Sequence, residues 1–186
     1  MEQIINPKST ALLKGLSGKD GHPLNIFRDM AASPLPIRMY NQSQNLVYSN
    51  ATLSGPEINI VQLAVSVENA CIFCVPAHTA SAINRDKISH EIIEAIRQEQ
   101  PVPDPRFNAL TNLAKRMVKD RGRISDSVLN NFFEQGYTQE QLFEILCIVA
   151  YKTLTNYTSV LMGTQPNSEH KEYEWKKISL NNLLMH

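Results

Sequence analysis

The sequence predicts an all-α globule, and three observations carry that reading. Apolar residues recur at spacings of three and four along successive segments. Those segments open on capping residues and close on glycine or proline. No pair of segments shows the period-two alternation of a half-buried strand pair. Of the 186 residues, 42% are hydrophobic and 19% charged, enough apolar side chains for a core and too little charge for disorder. The length fits the usual span of about 100–200 residues per domain, so 1–186 reads as one domain.

The elements follow in order. Pro23 opens a segment carrying Ile26, Phe27 and Met30, and Ser33-Pro34 sets an N-cap before a proline at the first helical position. Two short helices are expected before residue 50. Ser54-Gly55-Pro56-Glu57 is a capping-box pattern leading through Ile58, Val61, Ala64 and Val65 to about Glu68. Ser89 precedes a short helix with Ile92, Ile93 and Ile96, which Pro101, Pro103 and Pro105 then break. Asp104-Pro105 restarts a helix along Phe107, Leu110, Leu113, Ala114, Met117 and Val118, with Gly122 as its C′ glycine. Ser125 caps a segment with Val128, Leu129, Phe132 and Phe133, closed by Gly136. Thr138 and Gln141 frame a second capping box, and the helix after it runs from Gln139 to about Met162, ending at Gly163. It is expected to be the longest and the central element. Beyond Gln165-Pro166 the tail loses period, with Tyr173 and Trp175 as its bulky anchors.

Charge and cysteine content exclude several functions. Eighteen Lys and Arg balance eighteen Asp and Glu without a run of one sign, so neither nucleic acid nor an anionic membrane is an expected partner. The N-terminus lacks a basic region followed by an apolar run, which predicts a cytoplasmic protein. The apolar stretch Leu142–Tyr151 contains Glu144 and falls far short of the ~20 residues of a spanning helix. Three cysteines do not staple a fold, so their expected roles are redox, metal-binding or nucleophilic.

The chemistry concentrates in Glu68-Asn69-Ala70-Cys71-Ile72-Phe73-Cys74-Val75-Pro76-Ala77-His78. Spacings of three and four stack Cys71, Cys74 and His78 on one helical face. Pro76 places the helix start near Cys74, or a kink there. Amides of the first turn and the imidazole favour a thiolate, so one of the two thiols is expected to have a lowered pKa. Cα atoms three apart on a helix fall within the ~4.4–6.8 Å range for a disulfide, so mild oxidation should join Cys71 to Cys74 and leave Cys147 reduced.

Other readings stay open at this level. The pair can be two small buried hydrophobes, or zinc ligands with His78, completed by Cys147, His90 or another chain. Cys147 reads as core. His22, His90, His170 and His186 read as solvated or capping residues, and Glu57 as a cap. Glu68 reads either as a solvated helix-end charge or as a group that orients His78 or relays a proton. Tyr151 and Tyr157 read as packing residues with satisfied hydroxyls.

Taken together, several stretches resemble the carboxymuconolactone decarboxylase superfamily, in its alkylhydroperoxidase D-like, peroxidase-related branch. They are Leu53-Ser54, Ile60 to Ser66 leading into Glu68-Asn69-x-Cys71-x-x-Cys74-x-x-x-His78, Asp104-Pro105-Arg106, Asp120 to Asp126, Gly136-Tyr137-Thr138 and Thr155-Asn156-Tyr157. The likeness spans roughly 22–175, leaving 1–21 and 176–186 as terminal extensions.

The resemblance implies an all-α alkylhydroperoxidase D-like domain, commonly a trimer or hexamer, with the cysteine pair and histidine near a subunit interface. It implies a thiol-dependent peroxidase or disulfide reductase acting on alkyl hydroperoxides in antioxidant defence. Cys74 would attack the peroxide, Cys71 would resolve the sulfenic acid and His78 would relay protons; Cys71 is expected at the mouth of the site and Cys74 deeper. A thiol or dithiol reductant is the implied partner, with no cofactor and no resident metal. The family's usual relay glutamate is replaced by Asn59 and its histidine before the second cysteine by Phe73, so Glu68 is the expected substitute acid. The competing class is a non-catalytic helical oligomer or metal-binding protein with a structural cysteine pair.

Overall fold

Capping chemistry sets the helix boundaries in the computed structural model, which describes residues 4–18 and 21–177. In chain order the helices are α1 (Pro7–Lys14), α2 (Asn25–Asp29), α3 (Pro34–Asn50), α4 (Gly55–Glu68), α5 (Cys74–Asn84), α6 (His90–Arg97), α7 (Pro105–Lys119), α8 (Asp126–Glu134) and α9 (Gln139–Met162). Short 3-10 turns cover Met30–Ala32 and Ser168–Tyr173. No strand occurs among the described residues. Met1 to Gln3, His186 and nearly all of the 176–186 extension lie outside them.

Both capping boxes form as the sequence predicts: Ser54 with Glu57, and Thr138 with Gln141. The region before residue 50 differs. Asn6 accepts from the Lys8 amide at 2.9 Å ahead of Pro7 and starts α1, a helix too poor in apolar residues to announce itself. Helix α3 is 17 residues long rather than short, because a narrow face of Ile37, Tyr40 and Val47 is buried while the remainder is polar. At the end of α7 the left-handed C′ position is Arg121 (φ 54°), and Gly122 follows it at φ 81°. Ser125 precedes α8 without a side-chain capping bond and instead pairs with Ser127 at 3.0 Å.

The central helix is α4 rather than the longer α9. Every residue from Glu57 to Val67 is buried, and α4 packs against α5, α6, α7 and α9. Helix α9 has length and composition enough to cross a membrane, yet it buries Gln141, Lys152, Asn156 and Ser159 against its neighbours, as a core helix does. Its opposite face, with Phe143, Leu146, Tyr157, Val160 and Leu161, is exposed. A helix apolar all round is buried all round only if other elements surround it, and among the described residues none covers that side of α9.

The chain ends fold back onto this body. The Asn6 amide donates to the Ala31 carbonyl at 2.8 Å, and Leu13 joins the core, so residues 4–18 are integral to the body rather than an appendage. Arg97 donates to the carbonyls of Tyr173 and Glu174, and the Trp175 indole donates to the Arg97 carbonyl at 2.9 Å. The tail is thereby held across α5 and α6.

Candidate active site

The turn between α4 and α5 positions the cysteines. Ala70 adopts a left-handed conformation (φ 52°), and the Cys71 amide donates back to the Ser66 carbonyl at 2.9 Å, closing α4. A non-glycine residue in this region costs about 1–2 kcal/mol, which the surrounding bonds offset. Asn69 donates to Asn156 at 3.0 Å, and Asn156 donates to Ser66 at 3.3 Å. The motif asparagines are therefore clamps between α4 and α9.

Cys71 and Cys74 form a disulfide with their Cα atoms 5.3 Å apart, as their spacing predicts, and α5 begins at Cys74. Both sulfurs are buried but their surroundings differ. Cys74 lines a cleft of about 400 Å³, while Cys71 does not reach its wall and is fully enclosed. The expected order is reversed: Cys74 lines the cleft and Cys71, in the turn after Ala70, is enclosed by the core. The Cys74 amide donates to the Cys71 sulfur at 3.1 Å, so an N–H of the first turn serves Cys71.

His78 follows Cys74 by one turn and lines the same cleft, nine-tenths buried. Its Nδ1 lies 3.0 Å from Asn59 Oδ1. Asn59 Nδ2 donates to Asp86 Oδ2 at 2.7 Å and to the His78 carbonyl at 3.4 Å. A carboxylate accepts only, so the Asn59 amide has one orientation, its oxygen must accept from His78, and Nδ1 carries the proton. Nε2 is left as a neutral lone pair. Burial first, then the charges of Lys152, Arg85 and His170, hold the imidazole well below its ordinary pKa of 6.5. Asp86 is itself bound by Arg85, which reaches Tyr48, and Gln62 donates to both Tyr48 and Tyr151.

Other expected residues fall in different places. Glu68 ends α4, its carbonyl accepts from Lys177, and its side chain is not part of the cleft wall; the partner of His78 is Asn59. Cys147 is exposed on the outer side of α9 rather than in the core, and Tyr157 is likewise exposed, whereas the Tyr151 hydroxyl accepts from Gln62 at 2.6 Å as a packed tyrosine should. Glu57 caps α4 and also pairs with Arg106 at 3.0 Å. His22 and His90 are exposed, but His170 lines the cleft beside Glu169. Among the described residues no group of three His, Cys, Asp or Glu side chains is arranged to hold a metal.

Two residues escape a sequence reading, one on the cleft wall and one behind Asn59. Lys152, on α9, is 2% exposed, and its ammonium lies 5.7 Å from the Tyr40 ring centre. Desolvation lowers its pKa to about 7. A lysine inside an apolar helical run is the one signal that was available. Asp86 has none, since it lies 27 residues from the asparagine it orients.

Residues 37–116 match the profile of the carboxymuconolactone decarboxylase family, described by that name. The fold is similar to the alkylhydroperoxidase AhpD core of an uncharacterised peroxidase-related protein from Ralstonia eutropha JMP134, with a TM-score of 0.75, 22% identity and 89% and 88% of the two chains covered. It is also similar to a peroxidase-related protein from Silicibacter sp. TM1040, with a TM-score of 0.73, 17% identity and 91% and 90% covered. A debrominase, Bmp8, shares the fold at a TM-score of 0.70 and 14% identity, with 89% of each chain covered. At these identities the likeness concerns the fold. No curated protein matches the sequence. The profile match over residues 37–116 and the shared helical fold make this chain similar to the carboxymuconolactone decarboxylase family and to alkylhydroperoxidase D-like structures.

Proposed function

We propose that the protein is a thiol-dependent peroxidase that reduces organic hydroperoxides with the Cys71/Cys74 pair. The observation that carries this reading is the sharing of one cleft by Cys74 and His78, with Cys71 at disulfide distance behind.

In the reduced protein Cys74 passes its proton to Nε2 of His78, and the thiolate attacks the terminal peroxide oxygen. The O–O bond breaks, Cys74 becomes a sulfenic acid, and the departing alkoxide takes the proton from His78 and leaves as an alcohol. A buried imidazole that holds its proton weakly suits the second transfer. The Cys71 thiol then attacks the Cys74 sulfur, expelling water and forming the disulfide. A dithiol reductant restores the pair. It attacks Cys74, the sulfur facing the cleft, and Cys71 departs as a thiolate that accepts the Cys74 N–H. Such a cycle belongs in a reducing compartment such as the cytoplasm.

Asn59 and Asp86 supply what a relay carboxylate would otherwise supply in orientation, by fixing the His78 tautomer. The proposed relay runs without Glu68, whose side chain does not line the cleft.

The test is mass mapping of the fully reduced protein before and after one equivalent of cumene hydroperoxide. The expected result is a Cys71–Cys74 disulfide with alcohol released in equal amount and Cys147 still reduced. Peroxide left unconsumed by the reduced pair, or zinc bound stoichiometrically in freshly purified protein, would overturn the reading in favour of a structural or metal-loaded pair.

A further inference from the structure

The cleft contains a cation that the peroxidase cycle does not use. Lys152 lies on its wall, almost wholly buried, and no carboxylate pairs with it among the described residues. Among the described residues Glu169 is the carboxylate on the wall, and it lies 3.6 Å from His170. An ammonium removed from water without an anion is costly and is tolerated where a function retains it. Burial in this wall lowers its pKa to about 7.

The rest of the wall is divided. Leu16, Leu24, Ile26, Phe27 and Phe73 give it an apolar side. A molecule that satisfies both parts has an alkyl body and one negative charge. A single ammonium over the Tyr40 ring suits a carboxylate, since a phosphate dianion calls for several converging donors.

We propose that Lys152 binds the carboxylate of an amphipathic monoanion, so that the hydroperoxides this cleft selects carry a carboxylate group. The selection rests on the peroxidase reading; the anion site does not. Lys152 also offsets the repulsion between an anionic substrate and the Cys74 thiolate.

Calorimetric titration of the oxidised protein, in which no thiolate or turnover contributes, with octanoate and with octan-1-ol tests the site. Octanoate should bind about tenfold tighter or better, the scale of one charge-assisted hydrogen bond. Lys152→Met should lose that preference, and Lys152→Arg should keep most of it. In turnover, the ratio of kcat/KM for linoleic acid hydroperoxide to that for its methyl ester should fall about tenfold in Lys152→Met. Equal binding of octanoate and octan-1-ol by the wild-type protein overturns the proposal without recourse to any variant. So does an unchanged turnover ratio in Lys152→Met, which would make Lys152 a thiolate-stabilising group only. Octanoate preference without turnover of either hydroperoxide supports the anion site and overturns the peroxidase reading, so the two failures are distinguishable.

Discussion

Cys71 and Cys74 are both buried, yet they are not interchangeable, since one faces the cleft and the other receives the helix-start amide. Cys74→Ser should abolish hydroperoxide consumption. Cys71→Ser should consume one equivalent and stall as a sulfenic acid that a dimedone-type probe traps at Cys74. Trapping at Cys71 in the Cys74→Ser protein would reverse the roles. For His78 the sign of the pH dependence follows from its lowered pKa: the neutral, base-competent form predominates at pH 6.5 and is lost only well below it. Histidine NMR resonances followed through pH 5–8 should show His78 neutral at pH 6.5. His78→Ala should slow the peroxide step by roughly 10²–10⁴-fold. An imidazole that is charged at neutral pH would contradict the tautomer assigned from Asn59 and Asp86.

At the scale of the element, α4 depends on its first turn. Burial raises the Glu57 pKa, but the Ser54 hydroxyl and amide and the Arg106 guanidinium outweigh it and set the carboxyl below its ordinary 4.5. A depressed folded-state pKa gives stability that is present above the unfolded value and lost as pH falls through the folded one. Glu57→Gln should therefore cost about 1–3 kcal/mol in urea denaturation at pH 7, since charged hydrogen bonds to Ser54 and Arg106 are removed. The difference between variant and wild type should shrink at pH 3. A gap as large at pH 3 as at pH 7 would mean that packing, not charge, makes the contribution. The Arg106 guanidinium also stacks over the Tyr137 ring at 4.1 Å, so this one arginine ties the start of α4 to the segment before α9.

For the whole molecule, the unfinished surface is the outer face of α9. Phe143, Leu146, Tyr157, Val160 and Leu161 are exposed there, and Leu35, Met39 and Leu46 are exposed on α3, which packs beside it. Apolar area of this kind marks an interaction surface, and we expect it to be covered by further copies of the chain in a trimer or hexamer. Light scattering at micromolar concentration should return that mass, and Leu146→Glu with Leu161→Glu should reduce it to a monomer of unchanged helicity. A wild-type monomer would leave this face without its assigned role.

The sequence determined α4, α7 and α9 most closely, because local chemistry bounds them: the capping boxes at Ser54 and Thr138, Pro105 after Asp104, and Gly163. It also determined the Cys71/Cys74 pairing and the proximity of His78, which need only the geometry of one turn. It missed α1, whose Asn6-Pro7 start is the same kind of signal as Ser33-Pro34 but leads into few apolar residues. Which helix is central lay outside its reach, since apolar composition does not distinguish a surrounded helix such as α4 from one with a bare face such as α9. The surroundings of the thiols were equally hidden. Asn59, Asp86, Lys152 and His170 come to His78 and the cleft from four distant parts of the chain. Only tertiary packing decides which long-range neighbours desolvate a histidine, fix its proton or leave a lysine without a carboxylate, because these are effects of burial and through-space charge rather than of local sequence.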